Sequence, residues 1–453
     1  MNARAFADQI CYTLRSKGFQ AFLVGGCVRD ILLGREPADY DVTTDALPSQ
    51  VEEIFPGSLT VGAKFGVVIV PEEAPASSDA GRLQVEVATF RSDVGYSDGR
   101  HPDRVDYTKS PQDDVKRRDF TINALLLDPE TDEILDFVGG REDLEAGIIR
   151  AIGDPAARFG EDKLRMVRAV RFAARFGYVI EPATLKAIQK LAPEIDQISM
   201  ERLRDELTKI LIEGAARRGF ELLDRTGLLI YLLPEIAKMK GVEQPPQFHP
   251  EGDVWIHTLM MIGGLPAGSS PTLAWGVLLH DVGKPPTFTP PAGPNGRIRF
   301  DRHVEVGVKM AEQICRRFRF SNEDTEQILA LVTNHMKFKD VPRMKPATLK
   351  RFVRVDKFGE HLELHRLDSL ASHGKLDNYE LVSRFIAETS PEQVRPVRLL
   401  TGDDLIALGL KPGPRFKAIL YNVEEAQLDG TIHTHEEAVR LAQTLAVDPA
   451  LGI

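Results

Sequence analysis

The strand-like segments of this sequence end at about residue 140, and only helical patterns follow them. Before that point, short apolar runs such as AFLVG (21–25) and LQVEVATF (83–90) alternate with helical patterns such as CVRDILLG (27–34). From about 141 to 238 the apolar residues recur at helical spacing, as in DKLRMVRAVRFAARF (162–176). The chain is therefore predicted to begin with an α/β domain and to continue as helices.

A Pro/Gly-rich break, KGVEQPPQFHPEGD (240–253), divides the helical part of the chain. A second helical unit is predicted beyond it, to about 385, interrupted by a long loop at 285–297, and two or three further helices follow. A chain of 453 residues exceeds what one core usually supports, which predicts two to four domains.

The composition is that of a soluble globular chain, and it favours a cytoplasmic location. No run approaches the roughly 18 apolar residues of a membrane span. The three cysteines are odd in number and scattered, which predicts reduced thiols, and the first residues show no secretion signal. The net charge is −10, yet the segment 337–357 carries a net +6, which indicates either a nucleic-acid contact or a solvated helical face.

Two aspartates and a glycine pair suggest a phosphate and metal site near the N-terminus. Gly25 and Gly26 stand between a predicted strand and a helix, a common way to present backbone N–H groups to phosphate. If Asp39 and Asp41 lie on one strand, they share a face, with Cα atoms roughly 6.6 Å apart. Glu86 alternates with apolar Val85 and Val87, so its carboxylate would face away from the core, and three such carboxylates can hold two Mg²⁺ ions.

The strings GGCVRDILLG, DYDVTTD, VEVATFR and DDVKRRDFTINALLLDP together closely resemble the superfamily of class II tRNA nucleotidyltransferases and bacterial poly(A) polymerases. The resemblance implies that Asp39, Asp41 and Glu86 are catalytic, with Asp39 and Asp41 binding Mg²⁺. It also implies a set of residues that contact the triphosphate and ribose of the incoming nucleotide: Gly25, Gly26, Arg29, Arg117, Arg118, Asp119 and Asn123.

The segment FGEDKLRMVRAVRFAARFG (159–177) resembles the EDxxR motif of the same family, in which an acid and an arginine read the base edge of the nucleotide in place of a template. Asp162 and Arg165 are predicted to share one helical face, and their acceptor and donor groups can complement the edges of C and A. Glu161 and Arg168 complete the predicted nucleotide-binding set. The alternative for Glu161 and Arg165 is a surface ion pair. The loop at 91–104 matches a loop that moves in the family when specificity changes from C to A.

A second set of residues matches the H…HD…D pattern of the HD phosphohydrolase superfamily. The resemblance implies that His257, His280, Asp281 and Asp368 are metal ligands. Imidazole with carboxylate suits Mn²⁺, Ni²⁺, Co²⁺, Zn²⁺ or iron, and such a metal can activate water against a phosphoester. Lys284, His303 and His335 are predicted accessory residues, for a phosphate contact or a second metal.

The predicted fold class is α+β multidomain, with a small α/β nucleotidyltransferase head of polymerase beta-like fold followed by an all-α neck and an all-α HD bundle. The predicted boundaries are 1–140 for the head, 141–240 for the base-recognition and RNA-binding neck, 241–385 for the HD domain and 386–453 for a helical tail.

The resemblance implies template-independent addition of CCA to the tRNA 3′ end from CTP and ATP, with a phosphohydrolase activity of the HD domain. It implies no association with a membrane and no protein partner. Three alternatives stay open: a poly(A) polymerase, an enzyme that adds only A or only CC, and a phosphohydrolase with an idle nucleotidyltransferase half. The FGVV string at 65–68 favours tRNA, because the poly(A) relatives usually carry a basic string there.

Overall fold

The structure is a computed structural model that describes residues 2–61, 66–72, 83–95, 103–292 and 296–447. The chain divides into two compact units, one of residues 1–237 with 266–268 and the other of residues 238–265 with 269–453. Within the described ranges, no helix has both the length and the apolar character that crossing a membrane requires. The predicted fold class is confirmed: a sheet-containing head precedes helical regions.

The first unit contains a seven-stranded mixed sheet in the order β3-β4-β5-β2-β1-β8-β9. Neighbouring strands run antiparallel except for β2 and β5, which are parallel. The strands are β1 (Ala21–Val24), β2 (Asp41–Thr44), β3 (Leu59–Thr60), β4 (Val67–Pro71), β5 (Gln84–Thr89), β6 (Arg91–Val94), β7 (Arg104–Tyr107), β8 (Leu126–Leu127), β9 (Ile134–Leu135), β10 (Ile148–Ile149) and β11 (Val179–Ile180).

Apolar patterning explains the order of this sheet. All four residues of β1 are buried, as expected for a central strand, whereas Val85 and Val87 of β5 are buried and Glu86 between them is exposed. The predicted outward direction of Glu86 is therefore confirmed. β6 and β7 form a separate hairpin, so the predicted loop at 91–104 begins and ends as paired strands, and its residues 96–102 lie outside the described residues.

The helices of the first unit are α1 (Ala3–Ser16), α2 (Gly26–Leu32), α3 (Pro48–Ile54), α4 (Pro111–Lys116), α5 (Gly140–Ala146), α6 (Pro155–Glu161), α7 (Leu164–Phe176), α8 (Pro182–Leu191), α9 (Met200–Ile212), α10 (Ala216–Arg225), α11 (Leu229–Leu232) and α12 (Pro234–Ala237), with short 3-10 turns at Thr121–Asn123 and Ala192–Gln197. Helices α7, α9 and α10 pack on one another. The prediction that strands vanish after 140 is wrong in one detail, because β10 and β11 form a short parallel pair.

The second unit is almost entirely helical. Its helices are α13 (Val254–Gly263), α14 (Pro271–Leu279), α15 (Lys284–Thr287), α16 (His303–Arg317), α17 (Asn322–Asn334), α18 (Pro346–Val353), α19 (Phe358–Ala371), α20 (Asp377–Glu388), α21 (Pro391–Val394), α22 (Gly402–Ala407), α23 (Pro414–Leu428) and α24 (His435–Val447), with a 3-10 segment at His335–Arg343. Helix α14 is buried on all sides by α13, α17 and α19, which accounts for its continuous apolar sequence.

Two sequence expectations change in the second unit. The predicted loop at 285–297 includes most of α15 and all of β12 (Phe288–Thr289), which pairs with β13 (Arg299–Phe300) just beyond the loop. Its residues 293–295 lie outside the described residues. The basic segment 337–357 is only partly exposed: Lys337, Lys339, Arg343 and Lys345 face solvent, whereas three other basic side chains are engaged. Arg351 and Arg354 pair with Glu424 of α23 at 3.8 and 2.7 Å, and the Nζ atom of Lys350 donates to the carbonyl of Leu428.

Candidate functional site

The three predicted catalytic carboxylates lie close together beside the neighbouring strands β2 and β5. Asp41 is the first residue of β2 and lies directly opposite Glu86 of β5 in the parallel register. Asp39 precedes β2 by two residues, so only Asp41 of the predicted pair lies on the strand, and the predicted strand placement of Asp39 is wrong. Burial, together with the charges of Asp39 and Glu86, raises the pKa of Asp41 to about 6 against the opposing effect of Arg118. A carboxylate held in this way favours a cation.

The glycine turn brings the backbone close to these acidic groups. Gly25 has a φ of +81°, which favours glycine, and ends β1 immediately before helix α2. A Cβ atom at this position would lie 3.4 Å from Nη1 of Arg118 and 3.9 Å from Oδ2 of Asp41. Any larger side chain would therefore intrude between the predicted triphosphate-binding arginine and the predicted metal ligand.

Arg29, Asn123, Asp119 and Arg168, all predicted to contact the nucleotide, form one hydrogen-bonded chain. Nη1 of Arg29 donates to Oδ1 of Asn123 at 2.6 Å, and Nδ2 of Asn123 donates to Oδ1 of Asp119 at 3.1 Å. Nε of Arg168 donates to Oδ2 of Asp119 at 2.9 Å. Burial alone would raise the pKa of Asp119, but Arg168 and Asn123 lower it to about 2. These hydrogen bonds link the glycine turn to helix α7. The Arg29 guanidinium also lies 4.6 Å from the ring centroid of Phe176 in that helix.

Asp114 is a site residue that sequence reasoning missed. Its buried carboxylate accepts from Nε of Arg117 at 2.9 Å and from Nη2 of Arg118 at 3.4 Å. The sequence signal that could have identified Asp114 is its spacing of three and four residues from the two arginines in DDVKRRD. Asp114 therefore holds both arginines, and they lower its pKa against the effect of burial.

Asp162 and Arg165, the predicted base-recognition residues, lie at a break between two helices and not on one helix. Asp162 ends α6 in an extended conformation, and α7 begins at Leu164, so the predicted shared helical face is wrong. Both oxygens of Asp162 accept from Arg202 of α9, at 3.2 and 2.7 Å. Arg165 pairs with Glu161 at 2.6 Å and donates from Nη2 to the carbonyl of Arg117 at 3.0 Å. The predicted ion pair between Glu161 and Arg165 is thus present, and Arg202 was missed.

In the second unit, four predicted histidines present the same ring nitrogen to a common centre. The Nδ1 atoms of His280, His303 and His335 lie 2.8, 2.9 and 2.7 Å from the backbone carbonyls of Val277, Phe300 and Val332, respectively. Among the described residues, the buried Nε2 atoms of these three and of His257 make no hydrogen bond of good geometry, although carboxylate oxygens lie 3.0 Å from that of His280 and 3.2 Å from that of His257. Nitrogens held in this way can bind a metal ion, because each Nδ1 hydrogen has an acceptor and each Nε2 lone pair is left for the centre.

Two carboxylates complete the centre and divide it into two groups. His257, His280 and Asp368 form one group whose ligand atoms lie within 4.8 Å of one another, and Asp281, His303 and His335 form the second. Oδ2 of Asp281 lies 3.0 Å from Nε2 of His280 and 2.6 Å from Nζ of Lys284. Burial would raise the pKa of Asp281, but His280 and Lys284 hold it well below its usual range. All seven residues predicted for the HD centre are brought together.

The donor set fits a divalent transition metal, and a cavity of about 570 Å³ opens onto it. Burial lowers the pKa of His335 to about 4, which keeps a neutral ligand at that position. Burial also disfavours the charged form of His257, but Asp368 and Glu251 raise its pKa to about 9, so metal binding there would release a proton. Further lining residues that sequence reasoning missed include Phe248, His249, Arg299, Phe300, Lys339 and His365.

Three protein families match successive parts of the chain: the Poly A polymerase head domain at residues 21–150, the probable RNA and SrmB-binding site of polymerase A at 177–240, and the HD domain at 255–361. A CCA-adding enzyme of Geobacillus sp. (strain WCH70) is 31% identical over 436 residues, which is 95% of this chain and 94% of that one. Another, of Geobacillus thermodenitrificans (strain NG80-2), is 45% identical over 50% of this chain.

The matches of higher identity span only about half of the relatives' length, 53% in the Geobacillus thermodenitrificans enzyme. Among solved structures, the crystal structure of the Bacillus stearothermophilus CCA-adding enzyme in complex with CTP is similar, with 27% identity and a TM-score of 0.73. That similarity covers 98% of both chains.

Proposed function

Because this chain belongs to the family of CCA-adding enzymes, we propose that it completes the 3′ ends of tRNA by adding two C residues from CTP and one A from ATP without a template. The observation that carries the proposal is the meeting of Asp41, Glu86, Asp39 and Arg118 beside the Gly25 turn. Partner molecules are then the tRNA 3′ end and the two nucleotides. Its free, buried thiols support a cytoplasmic location for this work.

Each group at the first site has a part in the transfer. Mg²⁺ at Asp39, Asp41 and Glu86 would supply activation of the attacking 3′-hydroxyl and neutralise triphosphate charge. Arg118 carries a fixed positive charge toward the triphosphate and is held there by Asp114. The Gly25–Gly26 turn offers N–H groups, and Arg29 braces that turn from a buried position through Asn123. Orientation of the reactants is thus built into the protein before substrate arrives.

Base selection is assigned to Asp162 and Arg165, supported by their neighbours. Arg202 orients the carboxylate of Asp162, while Glu161 and the Arg117 carbonyl orient the guanidinium of Arg165. An acceptor and a forked donor fixed in this way can pair with the edge of C or of A, which both present a donor next to an acceptor. The division of the chain into head, neck, HD domain and tail at the predicted boundaries belongs to the same proposal.

Labelled CTP or ATP with Mg²⁺ tests the transfer proposal on three acceptors: tRNA ending before CCA, tRNA ending in CC, and an unstructured RNA. Addition of C, C and A to the tRNA acceptors alone supports it. Long A tails on every RNA would establish the poly(A) polymerase alternative, and addition of A alone to the CC-ended tRNA would establish a partial enzyme. The FGVV string that favoured tRNA begins at residue 65, which lies outside the described residues.

A second activity is favoured by the histidine centre of the second unit. We infer that it hydrolyses a phosphoester, with Mn²⁺, Ni²⁺, Co²⁺ or Zn²⁺ held by the two ligand groups. The bound metal would supply Lewis-acid activation of water and of the phosphate. Lys284 lines the cavity with its ammonium against Asp281, placed to meet phosphate charge. Hydrolysis of bis(p-nitrophenyl) phosphate across this metal series tests the proposal, and inactivity with every metal would contradict it.

A further inference from the structure

The Pro/Gly-rich segment 240–253, at the start of the second unit, forms one wall of the histidine centre. It lies between the family matches, which end at residue 240 and resume at 255. Phe248 and His249 line the cavity, and Oε1 of Gln244 accepts from Nζ of Lys284 at 2.6 Å. The carboxylate of Glu251 is 5% exposed although its segment lies at the surface. Acidic side chains are rarely buried unless they are paired, so the burial of Glu251 in this loop needs an explanation.

Glu251 contacts two imidazoles at once. Its Oε1 lies 2.7 Å from Nδ1 of His257 and 2.9 Å from Nδ1 of His249. The two rings meet edge to face with centroids 5.0 Å apart. His257 also points its Nε2 toward Asp368, 3.2 Å from Oδ1. The Nδ1 side of the His257 ring therefore contacts Glu251, and its Nε2 side faces the ligand group that it forms with His280 and Asp368.

His257 differs from the other three histidines in what holds its Nδ1. His280 and His335 follow the last residues of α14 and α17, and His303 begins α16, where backbone carbonyls are available nearby. His257 lies inside α13, whose carbonyls are engaged along the helix, and the carbonyl of Val254 also accepts from Thr258. A side chain from outside the helix must therefore fix the ring of His257.

We propose that Glu251 is a positioning residue of the histidine centre, which keeps the hydrogen of His257 on Nδ1 and turns Nε2 toward His280 and Asp368. This inference rests on the proposed phosphohydrolase function. An acceptor behind a metal-binding imidazole fixes its tautomer and orientation, and losing such an acceptor typically lowers metal affinity about 10- to 100-fold. His249 shares the same carboxylate and so holds it in place from the cavity side.

The competing assignment makes Glu251 itself a ligand, together with His249 and Nδ1 of His257, since these three groups also cluster. Two variants separate the assignments. Glu251→Gln keeps an oxygen that accepts from Nδ1, whereas Glu251→Met has a similar shape and no such acceptor. Positioning predicts that only the methionine variant loses affinity, but direct ligation predicts that both lose it.

The experiment measures Mn²⁺ affinity and the visible spectrum of bound Co²⁺ in the full chain. We expect Glu251→Met to weaken binding about 10- to 100-fold and to change the Co²⁺ spectrum, while Glu251→Gln stays within about 3-fold of the unaltered chain. Glu243→Gln, an exposed acid of the same segment, is the matched control and should change neither readout. Circular dichroism and nucleotide addition verify folding, and Glu251→Ala replaces the methionine variant if that one does not fold.

Three outcomes would overturn the inference. Unchanged affinity in Glu251→Met shows that Glu251 does not act on His257, and equal losses in the Met and Gln variants show a ligand in its place. If the unaltered chain binds no more metal than the double variant His280→Ala, Asp281→Ala, which lacks one ligand of each group, the phosphohydrolase proposal fails as well, so the two failures are distinguishable.

Discussion

Asp41 and Glu86 lie directly opposite each other in the parallel pair of strands β2 and β5. Replacing either carboxylate, as in Asp41→Asn or Glu86→Gln, removes a predicted ligand without changing side-chain size. We expect nucleotide addition to fall by a factor on the order of 100 or more, because metal stabilisation of the transition state is worth several kcal/mol. Initial rates of labelled CMP incorporation into tRNA measure the effect.

Glu53→Gln, an exposed acid of α3, is the matched control and should retain full activity. The Asp41→Asn variant also relieves repulsion among three carboxylates, so its metal-free melting temperature should not fall below that of the unaltered chain. Turnover at the unaltered rate in Asp41→Asn would contradict the site assignment.

Proton binding by Asp41 should compete with Mg²⁺ binding. The pKa of Asp41 is raised to about 6, so this carboxylate gains its proton as the pH falls below that value. At low Mg²⁺ we expect the rate of addition to drop roughly tenfold per pH unit below about 6. Raising the Mg²⁺ concentration favours the charged form and should move the midpoint to lower pH. Rate profiles at two Mg²⁺ concentrations check this, and a midpoint that ignores Mg²⁺ would exclude Asp41 as its origin.

Selection between C and A should depend on Asp162 and Arg165. Replacing both by alanine removes an acceptor and a forked donor, and a good pair of this kind discriminates by about 1–3 kcal/mol. We expect the ratio of kcat/KM for CTP over ATP on each tRNA acceptor to shift by about 10- to 100-fold, with RNA binding retained. Arg217→Ala, which removes an exposed ion pair of α10, is the control. An unchanged ratio would place base recognition elsewhere.

The histidine centre should be separable from nucleotide addition. Replacing His280 and Asp281 by alanine removes one ligand from each metal group, so phosphodiesterase activity should be lost while addition to tRNA continues. After the bound metals are removed with a chelator, adding back Mg²⁺ alone should likewise restore only nucleotide addition. Joint loss of both activities, with the helical content unchanged by circular dichroism, would mean that the second unit supports the transferase and not a separate reaction.

The sequence predicted the fold class, and it named side chains that the structure brings together in two clusters, because these features depend on local patterns. Strand alternation put Glu86 on the outward face, and HD spacing selected ligands that the helices α13, α14 and α19 bring together. Predictions failed where backbone geometry changes within a few residues. Asp39 precedes its strand, and a helix break separates Asp162 from Arg165, which an unbroken apolar period did not reveal.

Supporting residues were missed for a different reason. Arg202 reaches Asp162 from 40 residues away, and Glu251 reaches His257 from a segment whose prolines and glycines indicate only a linker. Such contacts depend on how distant elements pack, which no local period encodes. The same cause hid the pairing of Arg351 and Arg354, in the basic segment 337–357, with Glu424 of α23.

We propose that a single carboxylate site adds a defined trinucleotide, CCA, to the tRNA 3′ end. The most direct test is mass spectrometry of a tRNA that ends before CCA, after incubation with the unaltered chain, Mg²⁺ and equal CTP and ATP. We predict a single product heavier by two CMP residues and one AMP residue, absent with Asp41→Asn. A ladder of many AMP additions, or the same product from Asp41→Asn, would contradict the account.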